Sequence, residues 1–279
     1  MLRRYVLIFH AGGLGDFVLT WPIAMALARL RAQQRIVYVT HSEKGQLAER
    51  VIGVEWDDAE RWSGAFGGEL SDELAKRVDL TAEAYTFGEP GKLEATLADR
   101  GVAVTTLPNR PAGKHITDTY ADALTEPILA DGVRQSIARI RNHGLQNVRP
   151  KKGPILLHTG SGGTDKCWPV ERWVELAGKL KNAELICGEA EADRGVVPEG
   201  ATVIPTLAAL HEKLRTAVAY VGHDTGPTHL AAVLGLPTIA LFGPTDPTHW
   251  APIGAQTHPL VEMQNKNAAE IAALVKKLV

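Results

Sequence analysis

Residues 7–31, "LIFHAGGLGDFVLTWPIAMALARLR", decide the fold class. An apolar run breaks at a glycine-rich turn and gives way to a long apolar-periodic segment. Strand, tight turn and helix in that order form the first half of a βαβ unit. The succession recurs down the chain. "YVLIFH" (5–10), "RIVYVT" (35–40), "VAVTTL" (102–107), "PILLHT" (154–159), "AELICG" (183–188), "AYVGH" (219–223) and "PTIALFG" (237–243) all read as strands. They are nearly continuous apolar runs, as strands covered on both faces of a parallel sheet must be. Helical stretches lie between them. In "VERWVELAGKLKN" (170–182), residues Trp173, Val174, Leu176, Ala177 and Leu180 mark one apolar face. The expected fold is α/β, with two Rossmann-like, doubly wound parallel-sheet domains facing a central cleft. Such sheets hold ligands at the carboxyl ends of their strands.

Residues 125–153 interrupt the alternation. The basic stretch "GVRQSIARIRNHGLQNVRPKKGP" (132–154) predicts a helix followed by a Pro/Gly-containing connector. The domain boundary is placed there, giving residues 1–150 and 151–279. The terminal segment "NAAEIAALVKKLV" (267–279) has Ile271, Leu274, Val275 and Leu278 at helical spacing and reads as an amphipathic packing helix, with packing back on the N-terminal domain as one option. The chain has 279 residues, 45% of them hydrophobic, which is enough for a sizeable core. Its formal net charge of −2 argues against a nucleic-acid partner, which calls for a basic excess. No apolar run reaches the roughly 20 residues that span a bilayer. Cys167 and Cys187 have no metal-type spacing, so no metal is expected, and they fit a reducing cytoplasm.

The glycine turn at 12–16 fails as a dinucleotide loop. Val18 stands where a third glycine is required, and Thr40 and His41 stand where an acidic residue should meet a ribose. A Walker loop is absent as well. Asp16 reads as the helix N-cap and also as a general base, because a carboxylate is favoured in its charged form at a helix start.

The second loop, "HTGSGGTDKCWPVERW" (158–173), again joins a strand to a helix. Its glycines let backbone amides approach an anion. Ser161 and Thr164 add hydroxyls, and Lys166 adds a cation. The alternative is a flexible polar turn. Trp168 and Pro169 read as anchors of the turn. The third stretch, "VGHDTGPTHLAAVLGLPTIALFGPTDPTHWAP" (221–252), sets Asp224, Thr225 and Gly226 at a strand end and His229 one helical turn on, near Asp224. The pair reads equally as a structural hydrogen bond. A Ser-His-Asp hydrolase is unsupported, since no Gly-x-Ser-x-Gly elbow occurs. Glu191, just past the strand "AELICG", reads either as a ribose ligand or as a solvated helix-start carboxylate.

These three blocks, "LIFHAGGLGDFVLTWPIAMAL", "ILLHTGSGGTDKCWPVERWVELA" and "DTGPTHLAAVLGLPTIALFGPTDPTHWAP", resemble the signature blocks of glycosyltransferase family 9, the ADP-heptose:lipopolysaccharide heptosyltransferases. They occur in the family's order, whereas residues 41–150 match only loosely. The resemblance implies a GT-B fold with the acceptor on the N-terminal domain and the nucleotide-sugar donor on the C-terminal one. It implies inverting, metal-independent transfer with no cofactor and ADP-heptose as donor. On this resemblance Asp16 matches the catalytic base. Ser161, Gly162 and Lys166 match the segment that binds the diphosphate, and Glu191 matches a nucleoside contact. Asp224, Thr225, Gly226 and His229 match the donor-sugar and phosphate block.

Arg61, Arg110, Lys114 and His115 are set down as residues meeting an acidic, phosphorylated or Kdo-bearing acceptor. A solvated surface role is the alternative for each. The implied partners are a nucleotide sugar and a lipid-linked or oligosaccharide glycan. The expected location is cytoplasmic, with peripheral contact at the inner membrane and no obligate protein partner. The rival functions are a GT-B nucleotide-sugar epimerase, a non-catalytic sugar-nucleotide-binding relative and, more remotely, a nicotinamide oxidoreductase.

Overall fold

The computed structural model describes residues 3–146, 150, 152–160 and 167–279. By its contacts the chain divides into two compact units. One comprises Met1–Gly13 and Thr20–Ile137, and the other comprises Leu14–Leu19 and Ala138–Val279. The division falls inside a helix, ahead of the Pro/Gly connector around residue 150.

The first part of the chain runs β1 (Tyr5–Phe9), α1 (Leu14–Leu30), β2 (Arg35–Thr40), α2 (Ser42–Ile52), β3 (Glu55–Asp58), α3 (Ser63–Phe66), α4 (Asp72–Asp79), β4 (Thr81–Phe87), α5 (Lys92–Asp99), β5 (Ala103–Leu107), α6 (Ile116–Ala123) and α7 (Pro127–His143). Its five strands pair in the order β3-β2-β1-β4-β5, all parallel. Leu7, Phe9, Val37, Trp62, Ala84 and Leu97 form its core.

The second part runs β6 (Ile155–His158), α8 (Val170–Lys179), β7 (Ala183–Gly188), α9 (Glu189–Asp193), β8 (Thr202–Ile204), α10 (Leu207–Thr216), β9 (Ala219–His223), α11 (Gly226–Leu234), β10 (Thr238–Leu241), α12 (Pro247–Trp250), β11 (Thr257–Leu260) and α13 (Ala268–Leu278). Its six strands pair in parallel in the order β11-β10-β9-β6-β7-β8. In both sheets the chain winds outward from the first strand, returns across it and winds the other way. The reversal lies between β1 and β4 in one sheet and between β6 and β9 in the other. At such a point, adjacent loops diverge and leave a crevice at the strand ends.

Four strands escape the sequence reading: β3, β4, β8 and β11. The consequential one is β4, "TAEAYTF", which pairs with both β1 and β5 inside its sheet. Its Glu83 breaks the apolar pattern expected of a central strand. The charge is tolerated because Arg31, at the end of α1, donates to it from Nε at 2.7 Å, and the Tyr85 hydroxyl donates at 2.8 Å. Arg31 also donates to Glu126 at 2.5 Å.

One detail of the helices differs from expectation. Val174 is half-exposed, because only Trp173, Leu176 and Leu180 of the α8 stretch turn fully inward. The terminal helix α13 packs on α8 within its own unit. Its Ile271, Ala272 and Val275 enter a core built with Leu157, Trp173 and Val221. The cause is its apolar stripe, since burying each such aliphatic side chain contributes roughly 1.5–3 kcal/mol.

Candidate active site

The strand reversal of the second sheet gathers the residues with chemistry. β9 ends in His223. Asp224 follows, and its amide donates to Leu241 O at 3.0 Å, tying the turn to β10. Thr225 caps α11, and Pro227 occupies its first turn, as the sequence predicts. The Thr228 hydroxyl donates back to His223 O at 2.5 Å and the Thr225 hydroxyl to the same oxygen at 3.4 Å. These bonds draw the helix start tightly over the strand end. His229 Nε2 donates to Asp224 Oδ1 at 3.4 Å, a long hydrogen bond. That assigns the ring's proton to Nε2 and leaves Nδ1, fully buried, with no hydrogen-bond partner among the described residues. A helix start carrying partial positive charge suits an anionic ligand, whereas the unsatisfied Nδ1, an acceptor, suits a hydroxyl that donates to it.

The first turn of α1 packs on this same edge. A methyl group at Gly226 would stand 2.5 Å from Leu14 Cβ, so only glycine allows the two helix starts to approach so closely. A methyl group at Gly15 would stand 3.2 Å from His229 Cδ2. Asp16, the next residue, is exposed. The helix begins at Leu14 with Gly13 as its cap, so Asp16 lies in the first turn and is not the N-cap that the sequence suggests.

Of the glycine-rich loop, Ser161, Gly162 and Lys166 lie outside the described residues. Its two ends are described. Gly160 O accepts from His223 Nδ1 at 3.1 Å, and Trp168 N donates to His223 Nε2 at 2.7 Å. Trp168 is buried as expected of an anchor, edge-on to Trp173 at 5.3 Å, and Trp173 is edge-on to His223 at 5.1 Å. Glu191 is buried and not solvated. It accepts from Gly188 N at 3.0 Å and from Arg194 Nη2 at 2.6 Å. Its carboxylate lies where a Gly160 side chain would stand, so it supports the loop's entrance from below.

Burial lowers the pKa of His158 and of His223 to about 4, so both rings are neutral. The sequence reading singled out neither ring. His223 is the last residue of a strand of apolar character and carries no motif of its own.

Three of the four residues set down for an acceptor have partners in the first unit. Arg61 donates to Asp57 at 2.5 Å and to Glu73 at 2.6 Å. Lys114 pairs with Asp122, which also pairs with Arg134 at 2.8 Å. His115 is buried as the cap of α6, its Nδ1 accepting from Thr117 N at 3.3 Å. Arg110 is exposed on the β5–α6 connection. Two residues that the sequence reading missed stand at this unit's strand reversal. Lys44, nearly buried, donates to Gly12 O at 2.6 Å and so holds the glycine turn. His10 follows β1, edge-on to Phe87, and burial followed by the Lys44 charge pushes its pKa down to about 3. Among the described residues no three His, Cys, Asp or Glu side chains group as metal ligands. No helix among them is long and apolar enough to cross a membrane.

Two parallel, doubly wound sheets, one with a ligand-type edge at its strand reversal, define the GT-B class of glycosyltransferase folds. The family model of glycosyltransferase family 9 (heptosyltransferase) matches residues 129–277, and the chain belongs to that family. Lipopolysaccharide heptosyltransferase 1 of Pseudomonas aeruginosa is 39% identical over 104 residues, 33% of this chain and 29% of that protein. The matched stretch thus spans less than a third of the relative's length. E. coli ADP-heptose lps heptosyltransferase II superposes with a TM-score of 0.72 at 15% identity, covering 99% of this chain and 98% of that one. E. coli heptosyltransferase WaaC with ADP gives 0.66 at 18% identity, covering 99% and 100%. At these identities the two structures show the shared fold.

Proposed function

We propose that this protein is an inverting, metal-independent glycosyltransferase that moves a heptose or related sugar from an ADP-sugar to a lipopolysaccharide-core or similar glycan. The observation that carries the proposal is the packing of the first turn of α1, with Asp16, on the first turn of α11, with Asp224 and His229. A carboxylate thereby stands at the edge where an anionic leaving group would be held. Family membership and the ADP in one structural relative favour a nucleoside diphosphate as that group.

In this reading residues 151–279 bind the donor and residues 1–150 supply most of the acceptor surface. Asp16 takes the proton of the acceptor hydroxyl as its oxygen attacks the anomeric carbon. The bond from that carbon to the diphosphate oxygen breaks on the opposite face, inverting the centre, and its electron pair leaves with the nucleoside diphosphate. The α11 start, Thr225, Gly226 and Lys166 stabilise the charge that develops there. Ser161 and Gly162 contribute donors from the loop. Arg110 is the acceptor candidate that no described ion pair occupies, and Arg61, Lys114 and His115 are secondary ones.

A thermal-shift comparison of ADP, UDP and GDP tests the donor. A ligand that binds only the folded chain raises Tm by mass action, by about 2.7 kcal/mol of stability at a hundredfold excess over Kd. ADP is expected to act and UDP is not. A response to UDP alone removes the ADP-sugar assignment.

A further inference from the structure

His229 lies in the first turn of α11, buried, and one edge of its ring is held between two other residues. Nε2 donates to Asp224 Oδ1 at 3.4 Å, and Asp224 is itself tied to β10 by its amide on Leu241 O at 3.0 Å. The same edge faces Gly15. A methyl group there would stand 3.2 Å from Cδ2 and 3.5 Å from Nε2. The first distance is shorter than an ordinary carbon–carbon contact, and a buried ring bonded to Asp224 has little room to give. Gly15 has no left-handed backbone that would call for glycine, so the ring is what constrains this position. Asp16 is the next residue. A run of contacts therefore leads from β10 through Asp224 and the His229 ring to the backbone that carries Asp16.

We infer that His229 is a positioning residue whose ring sets the distance between the first turns of α1 and α11, and so fixes where Asp16 stands at the edge of the leaving group. Its part in the reaction rests on the reading of Asp16 as the base. His229 acts on the transfer step and not on the affinity for ADP.

Four variants of the full chain test the spacing. Turnover is read with ADP-heptose and a purified glycan acceptor, ADP affinity by calorimetry, and Tm by thermal unfolding. His229→Ala removes the ring. It should lower kcat by roughly tenfold to a hundredfold, the cost of about 1 Å of misplacement, and leave ADP affinity within about twofold. His229→Asn keeps an atom at the Cδ2 position and gives up the bond to Asp224, so its loss should be the smaller. Gly15→Ala presses a methyl group on the intact ring and should lower kcat by roughly tenfold. Added to His229→Ala, the same methyl group meets no ring. It should then cost less than about twofold in kcat. It should also raise Tm more in that background than in the wild type, because alanine favours a helix over glycine and nothing opposes it.

Equal costs of Gly15→Ala in both backgrounds overturn the inference. So does a fall in ADP affinity as large as the fall in kcat, which would mark His229 as a ligand contact. If His229→Ala does not fold, Gly15→Ala decides alone, and wild-type kcat in it overturns the inference. Wild-type kcat in Asp16→Asn, or no transfer by the wild type, overturns the reading beneath instead, while the Tm half of the cycle still measures the contact.

Discussion

Asp16 carries the central claim at the level of single residues. Asp16→Asn keeps the size of the side chain and removes its basicity. Turnover should fall by roughly 10²–10⁴-fold in a transfer assay with a purified glycan acceptor, and ADP affinity should stay at the wild-type level. Turnover like the wild type removes Asp16 as the base. The sequence made this residue conspicuous because it spoiled a phosphate loop, and Asp224 and His229 stood out at a strand end and one turn into the helix that follows. Lys44 and His223 left no such trace. Each acts on backbone carbonyls or amides supplied by loops distant in sequence, Gly12 in one case and Gly160 with Trp168 in the other. A one-dimensional pattern does not record such a meeting. Glu191 was legible as a helix-start carboxylate but not as the support beneath Gly160.

Elements follow a similar rule. Strands whose faces are both apolar announced themselves: β2, β7 and β9 have the limits read from the sequence. β4 stayed hidden although it is central, because its stability depends on Arg31 and Tyr85 reaching Glu83. β3, "EWDD", stayed hidden because its buried Asp57 is satisfied by Arg61 and by the Trp62 indole N–H at 3.1 Å. Polar residues inside a sheet read as loop until their partners are known. The contact between the starts of α1 and α11 gives the prediction at this scale. Gly226→Ala forces a methyl group against Leu14 and should cost about 1–3 kcal/mol, read as a lowered Tm. It should also lower turnover more than ADP affinity, because the turn that moves carries Asp16. An unchanged Tm would show that the two helix starts do not press on each other.

For the molecule as a whole, the buried histidines set a pH limit. His10, His158 and His223 titrate near 3, 4 and 4 when folded, against about 6.5 in an unfolded chain. Their folded-state values are depressed, so below 6.5 the unfolded chain binds more protons. Stability is then full above about pH 6.5 and falls as pH drops toward 4. The slope approaches roughly 1.4 kcal/mol per pH unit for each histidine. Urea unfolding between pH 7.5 and 5, above most carboxylate titration, should show this fall, and His223→Asn should reduce its slope by about one proton. A flat profile would place these rings in contact with water. A further consequence concerns how the chain is made. Leu14–Leu19 belongs by its contacts with Ala138–Val279, and Phe17, Val18 and Leu19 are buried. On the ribosome Gly226, which accommodates Leu14, emerges some 212 residues after it. At about 5–20 residues per second the wait is roughly ten to forty seconds. Through that interval the nascent chain carries the unsheltered apolar residues Leu14, Phe17, Val18 and Leu19 around Asp16, a site for chaperone capture that vanishes once α11 has been translated.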